Sequence, residues 1–592
     1  MRYSKQSVAL ALMGSLLLLQ ACKKDNAGGE GGGGPAPTAD TGTGTGFITK
    51  ATDPATANTV GFFMDSWQGK TFAAATSTIA GTKPGTALVS ATVTVDLNQV
   101  TAKVPQYMYG NNVNPYMGQL TDVTLLNHIT NLNPGILRAP GGSLSDIYFW
   151  NAADGKAPAD APTQLTDYQG TVTNSGFWYG KNTGSWTCSL DSYYTMLGKT
   201  NSTAILTVNY GYARYGTGPT PVQTAAHLAA DWVRYDKGRT KYWEVGNENY
   251  GNWEAGYNLD QSKNKDGQPK YLTGDLYGQH FKVFADSMRK AAADVGATIK
   301  IGAVMADAEN ATNPTIIKNW NKQVLTQAGN SPDFYIVHSY YTPYNTNASP
   351  DIILPTAVTE SKAIADYIKA SAAAAGVTQR PIALTEWNIN SIGSRQMVSN
   401  IAGLHAVMVL GEVIKNGFGM ASRWDLANAW DAGNDHGLLN NPVTTTNTEP
   451  NAAAWNPRPA FFYLYYFQKY FGDRMVPTTV TGSSDVVSYG STFNSGQAGV
   501  VLVNKGTSAQ TVAVKINNFD IGSNYYYYTL NGGTDNVSFS AQVLVNGQGP
   551  ATGSTGGPAN YMAIVPYSAA VTGGIRVTVP AYGAVFLVVA KK

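Results

Sequence analysis

From about residue 105 the chain alternates short apolar runs with longer stretches whose apolar positions recur every three or four residues. The short runs predict strands at QYMYGNN (106–112), GILRAPGG (135–142), AILTVNYG (204–211) and YWEVGNE (242–248). Four more follow at IKIGAVMA (299–306), FYIVHSYY (334–341), PIALTEWN (381–388) and MASRWDL (420–426). Between them the longer period predicts one-sided helices over 221–236, 276–296, 359–376 and 396–417, with PAFFYLYYFQKYFG (459–472) as the last. Strand and helix in strict alternation make βα units, and eight of them predict a (β/α)8 barrel over 101–472. A doubly wound sheet is the alternative, but no glycine-rich nucleotide fingerprint follows the first strand.

The pattern changes on either side of this block. From 473 to 592 it becomes alternating strands and Gly-rich turns, such as AGVVLVNK and IRVTVPAYGAVFLVVAKK, which predict an antiparallel β-sandwich. Residues 47–100 also read as β, with TALVSATVTVDL (86–97) the clearest strand and the part expected to join the sandwich. At the start, a basic MRYSKQ precedes VALALMGSLLLLQA, a run too short to span a bilayer. It ends in LLQAC, which resembles a bacterial lipoprotein signal over 1–22 with Cys22 as the lipidated residue. The stretch 23–46 is rich in Gly, Thr, Ala and Pro without apolar period, and reads as a flexible linker. The expected location is extracytoplasmic, lipid-anchored at a bacterial outer membrane, with no membrane contact beyond the lipid.

Charge is nearly balanced, 40 basic against 38 acidic residues without basic blocks, so nucleic acid is not the expected partner. Cys188 is the other of the two cysteines, and the six histidines show no metal-ligand spacing. Neither a metal nor a cofactor is expected. With 35 Tyr and 12 Trp, the chain has rings able to stack on sugars or to fill cores.

A barrel carries its chemistry at the C-terminal ends of its strands. There the sequence places Arg138, Asn247 with Glu248, His338, Glu386 and Trp424. Glu248 and Glu386 end strands four and seven, and two carboxyls facing one mouth are what glycoside hydrolysis requires. Glu244, earlier on the same strand, reads as an internal partner for an arginine. These motifs, GNE and TEW in register with strands four and seven, resemble the retaining glycoside hydrolases of clan A. YWEVGNENYGNWEAG and LRAPGG are most similar to the family 51 α-L-arabinofuranosidases, with LRAPGGSLSD leaning to heparanase and β-glucuronidase-like enzymes and TEWN to β-xylosidases. The resemblance implies Glu248 as acid/base, Glu386 as nucleophile and Asn247 on the sugar hydroxyl beside the reacting carbon. It implies that Arg138 keeps the nucleophile charged, that His338 and Tyr340 orient it, and that Trp424 lies beneath the sugar. Two positions depart from family 51: Asn114 stands where a glutamate grips arabinose, and Ser143 where an asparagine follows Pro-Gly-Gly. Both belong to the substrate-binding pocket.

The expected substrate is therefore a poly- or oligosaccharide, cleaved in an α-L-arabinofuranosidase-like manner. A non-catalytic glycan-binding lipoprotein, or a clan A endo-glycanase or β-glycosidase for another sugar, are the alternatives. Long loops carrying Tyr148, Trp150, Phe177, Trp178, Tyr179 and Trp186, then Tyr210, Tyr212 and Arg214, either line an extended cleft or pack on themselves.

Overall fold

The computed structural model describes residues 52–309, 314–390, 395–442, 449–536 and 538–592. The signal-like segment, Cys22 and the linker lie outside the described residues. Residues 44–592 form one compact unit.

Eight parallel strands close into a barrel: β1 (Gly110–Asn112), β2 (Ile136–Ala139), β3 (Thr203–Val208), β4 (Tyr242–Val245), β5 (Lys300–Met305), β6 (Phe334–Ser339), β7 (Ile382–Trp387) and β8 (Met420–Arg423), with β8 pairing back onto β1. Almost every strand residue is buried on both faces, as expected where helices cover the outside and side chains fill the inside. The observed helices include Pro221–Asp236, Gly274–Asp294, Pro350–Ala374, Asn400–Lys415 and Pro459–Tyr470. Seven of the eight strands are shorter at their C-terminal ends than the apolar runs suggest; the first ends at Asn112 as expected. That strand instead loses its beginning: Gln106–Met108 is a 3-10 turn, and Tyr107 packs beneath the barrel rather than within it.

The N-terminal mouth of the barrel is sealed by a part of the chain whose sequence has no period. Phe62 and Phe63, on the 3-10 turn Gly61–Met64, pack their rings on Tyr242 and Phe334, the first residues of β4 and β6. Thr59 accepts a hydrogen bond from the Ile382 N–H at the start of β7. This end is hydrophobic and closed, so chemistry is confined to the opposite one.

Two further sheets stack beside the barrel. The larger, nine-stranded, contains Val486–Thr492, Ala498–Asn504, Ile521–Gly532 and Gly583–Lys591. The smaller orders Thr478–Thr481, Ala91–Asp96, Gln510–Asn517 and Ile575–Val579. Val93, Val95, Leu502, Val512, Val577 and Leu587 form the core between them. The sheets are not purely antiparallel: Ala91–Asp96 runs parallel to Gln510–Asn517, and Ile79–Ala80 parallel to Tyr567–Ala570. Strands arriving from the N-terminal side of the barrel have no hairpin connection to dictate an antiparallel neighbour. Tyr489 fixes this layer to the barrel, its ring against Gly411 and its hydroxyl donating to Glu412 at 3.2 Å.

Candidate active site

β4 stops at Val245 because Gly246 takes φ +81°, where a Cβ would lie 2.1 Å from Asn249 Oδ1 and 2.8 Å from Tyr210 Cβ. Only glycine fits that turn. Glu248 itself is held at φ +42°, a conformation that costs a non-glycine residue energy and that clusters at functional sites. Asp146 holds the turn from below: it accepts from the N–H groups of Tyr210, Gly211 and Asn247 and from Asn249 Nδ2. Burial pushes its carboxyl up to about 7 against those donors.

The barrel brings Glu248 and Glu386 to one place, and with His338 they offer three ligand-type atoms all within 4.8 Å of one another. Such a group is small enough to hold a cation. The Arg138 guanidinium, 3.0 Å from Glu386 Oε2, makes it a poor cation site. Glu386 is 5% exposed and Glu248 15%.

Each carboxyl has its own surroundings. Arg138, fully buried on β2, donates to Glu244 Oε2 at 2.5 Å, Asn112 Oδ1 at 2.9 Å, Glu386 Oε2 at 3.0 Å and Asn247 Oδ1 at 2.9 Å. One guanidinium thus joins the interior acid, the candidate nucleophile and the amide beside the candidate acid, using its fixed fork of donors. Tyr340 donates to Glu386 Oε1 at 2.8 Å. His338, expected beside Tyr340 on the nucleophile, instead makes its close contact with Glu248, Nδ1 to Oε1 at 3.1 Å, and lies 3.8 Å from Glu386. A register shift in the β6–β7 pairing between Val337 and His338 re-aims the ring, as bulges do near active sites. Its Nε2 meets Thr385 Oγ1 at 3.2 Å.

The electrostatics follow this division. Burial pushes the Glu386 carboxyl up, the Glu248 charge adds to that, and His338, Arg138 and Tyr340 oppose it. Burial acts on Glu248 in the same direction, but the hydrogen bond and charge of His338, with Tyr250 and Trp253, hold it below its ordinary value. The two groups are linked: once Glu248 carries a proton its charge no longer raises Glu386, and Arg138 with Tyr340 favour the Glu386 carboxylate.

Four residues at the site were not singled out from sequence. Tyr250 donates to Glu248 Oε1 at 3.1 Å and Trp253 Nε1 to Glu248 Oε2 at 3.2 Å, the indole remaining 43% exposed. Both lie in the GNENYGNWEAG stretch, so the signal was their spacing from Glu248 on a turn. Glu254 accepts from Ser143 Oγ at 2.7 Å and Asn247 Nδ2 at 3.0 Å, and burial, then the Asp146 and Glu248 charges, push its carboxyl well up. Asp425 follows Trp424 and accepts from Asn114 Nδ2 at 2.8 Å.

The remaining expected positions separate into two groups. Trp424 is half-buried, its Nε1 donating to His436 Nδ1 at 3.1 Å, with its ring against Gly141 and Gly142. Ser143 is exposed at the mouth, whereas Asn114 is buried. Of the loop aromatics expected to stack on sugars, most pack inward. Trp150 stacks on Trp232 at 5.7 Å and donates to the Leu228 carbonyl; Tyr148, Tyr210, Tyr212 and Arg214 are buried, the last spending its guanidinium on Gly256, Gln268 and the 269–270 carbonyls. Phe177 packs on Phe149, and Trp178 on the exposed Trp186. Within these loops Tyr148–Phe149 pairs in parallel with Trp178–Tyr179, and the inward rings give the loops an aromatic core of their own.

A family model described as the alpha-L-arabinofuranosidase 1 domain matches residues 128–349, which span Arg138, Asn247, Glu248 and His338 but not Glu386. Compared with curated protein sequences, the chain has no match. Among solved structures, it superposes on the alpha-L-arabinofuranosidase from Thermotoga maritima in its arabinose complex with a TM-score of 0.57 at 18% identity, covering 84% of this chain and 99% of that one. The family 51 alpha-L-arabinofuranosidase AbfB from Bifidobacterium longum gives 0.57 at 15% identity over 84% and 99%. A Paenibacillus polymyxa xyloglucanase from family 44 gives 0.54 at 12% over 85% and 99%. The likeness is one of fold: a closed eight-stranded barrel with a sheet-rich C-terminal region.

Proposed function

We propose that the chain is a retaining glycoside hydrolase acting by double displacement, α-L-arabinofuranosidase-like, on a polysaccharide or its oligosaccharides. The observation that carries this is the approach of the two carboxyls, with oxygens within 4.8 Å, on the ends of β4 and β7. Retaining enzymes place theirs about 5–5.5 Å apart, inverting ones farther, to admit water.

In the first step a Glu386 oxygen attacks the anomeric carbon as the bond to the leaving oxygen breaks, and Glu248 gives that oxygen its proton. Glu248 delivers it from the side of the site where His338 Nδ1 faces its Oε1 at 3.1 Å. Arg138 and Tyr340 keep Glu386 ionised once Glu248 is neutral. In the second step Glu248, now the base, takes a proton from water, which displaces Glu386 from the same carbon. Asn247, fixed between Arg138 and Glu254, is set to meet the neighbouring sugar hydroxyl.

The signal-like N-terminus supports a lipid-anchored, extracytoplasmic protein, with Cys22 as the anchoring residue. The test is soluble protein beginning at Phe47, beside Glu386→Gln, on polysaccharides and aryl glycosides, with the product anomer followed by NMR. Cleavage with retention by the parent alone is expected. Inversion, or equal cleavage by the variant, refutes the two-glutamate reading; glycan retention without cleavage by either returns the binding-protein alternative. Palmitate labelling that survives Cys22→Ser refutes the anchor.

A further inference from the structure

Two buried carboxyls grip the same residue from different sides, and neither takes part in bond cleavage. Asp146, on the 3-10 turn Ser143–Ile147 after β2, accepts from the Asn247 N–H at 3.3 Å. Glu254, on the turn that follows Glu248, accepts from Asn247 Nδ2 at 3.0 Å. Their supply of donors is unequal. Asp146 has the N–H groups of Tyr210 and Gly211 at 3.1 Å each, that of Asn247, and Asn249 Nδ2 at 2.7 Å, spread over both its oxygens. Glu254 has Asn247 Nδ2 and Ser143 Oγ at 2.7 Å, both on Oε1, while its Oε2 is buried and accepts nothing.

That difference decides where charge and proton reside. A carboxylate ringed by N–H donors is stabilised in its charged form. A carboxylate oxygen buried without any donor is costly, and a proton on it removes the charge. Asp146 is therefore the better place for the negative charge, and Glu254 Oε2 for a proton. The charged groups around Glu254 act in the same sense: after burial, the charges of Asp146 and Glu248 push its carboxyl up, with Ser143 and Asn247 opposing. The nearby cations are turned elsewhere. Arg138 meets Asn247 at Oδ1, the other end of the amide, and Arg214 binds the Gly256 carbonyl, Gln268 and the 269–270 carbonyls.

We propose, resting on the glycosidase reading above, that Glu254 is a neutral carboxylic acid that serves as a positioning residue for Asn247 and for the loop carrying Ser143. The two ends of an amide differ only in that one accepts and the other donates, so its orientation is set by its neighbours. Arg138, a pure donor, fixes Oδ1 on one side, and Glu254 Oε1, an acceptor, fixes Nδ2 on the other. The second N–H of that Nδ2 is then aimed at the sugar hydroxyl beside the reacting carbon. The same Glu254 oxygen holds Ser143 Oγ, and Ser143 follows Gly141 and Gly142, against which the Trp424 ring lies. One oxygen thus sets both the amide and the loop that backs the indole. Held neutral, Glu254 does so without adding another negative charge beside Glu248 and Asp146.

The experiment compares the parent, Glu254→Leu and Glu254→Gln on an aryl glycoside and on its analogue lacking the hydroxyl next to the anomeric carbon. Glu254→Leu should lower kcat/KM on the full glycoside by about 10- to 100-fold, and on the deoxy analogue by only about 3-fold. Glu254→Gln, the neutral isostere, should restore most of what leucine loses. Denaturant unfolding of the parent and Glu254→Gln is then followed against pH. A carboxyl held protonated only in the folded protein contributes stability that is full below the unfolded value of about 4.3 and is lost as pH rises through the raised folded value. The parent should therefore lose stability relative to Glu254→Gln as pH rises. Equal loss by leucine on both glycosides means a structural role and overturns the proposal. A glutamine variant that falls as far as leucine, or that does not fold, overturns it too, as do unfolding curves that run parallel. If Glu254→Leu does not fold, glutamine and the unfolding curves decide. If the parent cleaves no glycoside, the glycosidase reading fails by itself, and the unfolding curves alone decide whether Glu254 is neutral.

Discussion

His338→Leu should move the alkaline limb of the activity profile upward. In the folded protein the Glu248 carboxyl sits below its ordinary value although burial pushes the other way, and His338 contributes the two largest opposing effects, a hydrogen bond and a charge. Leucine keeps the bulk and removes both, leaving Tyr250 and Trp253 at 3.1 and 3.2 Å. A hydrogen bond to a charged group is worth about 1.5–3 kcal/mol. At 1.36 kcal/mol per pKa unit this raises Glu248 by about 1–2 units. Glu248 must hold a proton to protonate the leaving group, so the fall in kcat/KM at high pH begins about 1–2 units later in the variant. The assay is kcat/KM against pH on two aryl glycosides of one sugar, one with a good leaving group and one with a poor one. The poor leaving group, which depends on the acid, should show the shift fully. A limb that stays in place or moves to lower pH on both substrates would mean that His338 does not govern Glu248.

Three other perturbations test separate links. Arg138→Met strands Glu244 and Glu386 without their shared cation, and should cost about 3–5 kcal/mol of stability by chemical denaturation, with activity lost even in the folded fraction. Gly246→Ala meets Asn249 Oδ1 at 2.1 Å on a backbone at φ +81°; about 1–3 kcal/mol of destabilisation and a lowered kcat are expected, and unchanged values of both would show that the turn accepts a side chain. Phe63→Ala should lower stability by about 3–5 kcal/mol while leaving kcat per folded molecule as it was, because the ring it removes lies under the barrel, away from Glu248.

The parts of the fold that repeat were legible in the sequence. Eight apolar runs gave eight strands, and the positions of Glu248 and Glu386 at two strand ends were readable because strand polarity alone places C-terminal ends at one mouth. What period cannot express was not legible. Phe62 and Phe63 seal the barrel from a single 3-10 turn, too short to show an amphipathic pattern. His338 turned toward Glu248 through a one-residue shift in pairing, which a list of strand residues does not contain. Tyr148, Trp150, Tyr210 and Tyr212 carry no mark that separates an inward ring from a sugar platform, since both uses ask for the same side chain. Asp425 was within reach: it follows Trp424 at the end of β8, and the closure of β8 on β1 places it beside Asn114.

The seal at the barrel's N-terminal end has a geometric consequence for access to the site. Residues 59–63 are stitched to the starts of β4, β6 and β7, so this stretch of chain occupies the end of the barrel where the strands begin. The mouth bearing Glu248 and Glu386 lies at the other end of the same strands, so a polymer lying across it does not compete with residues 59–63 for room.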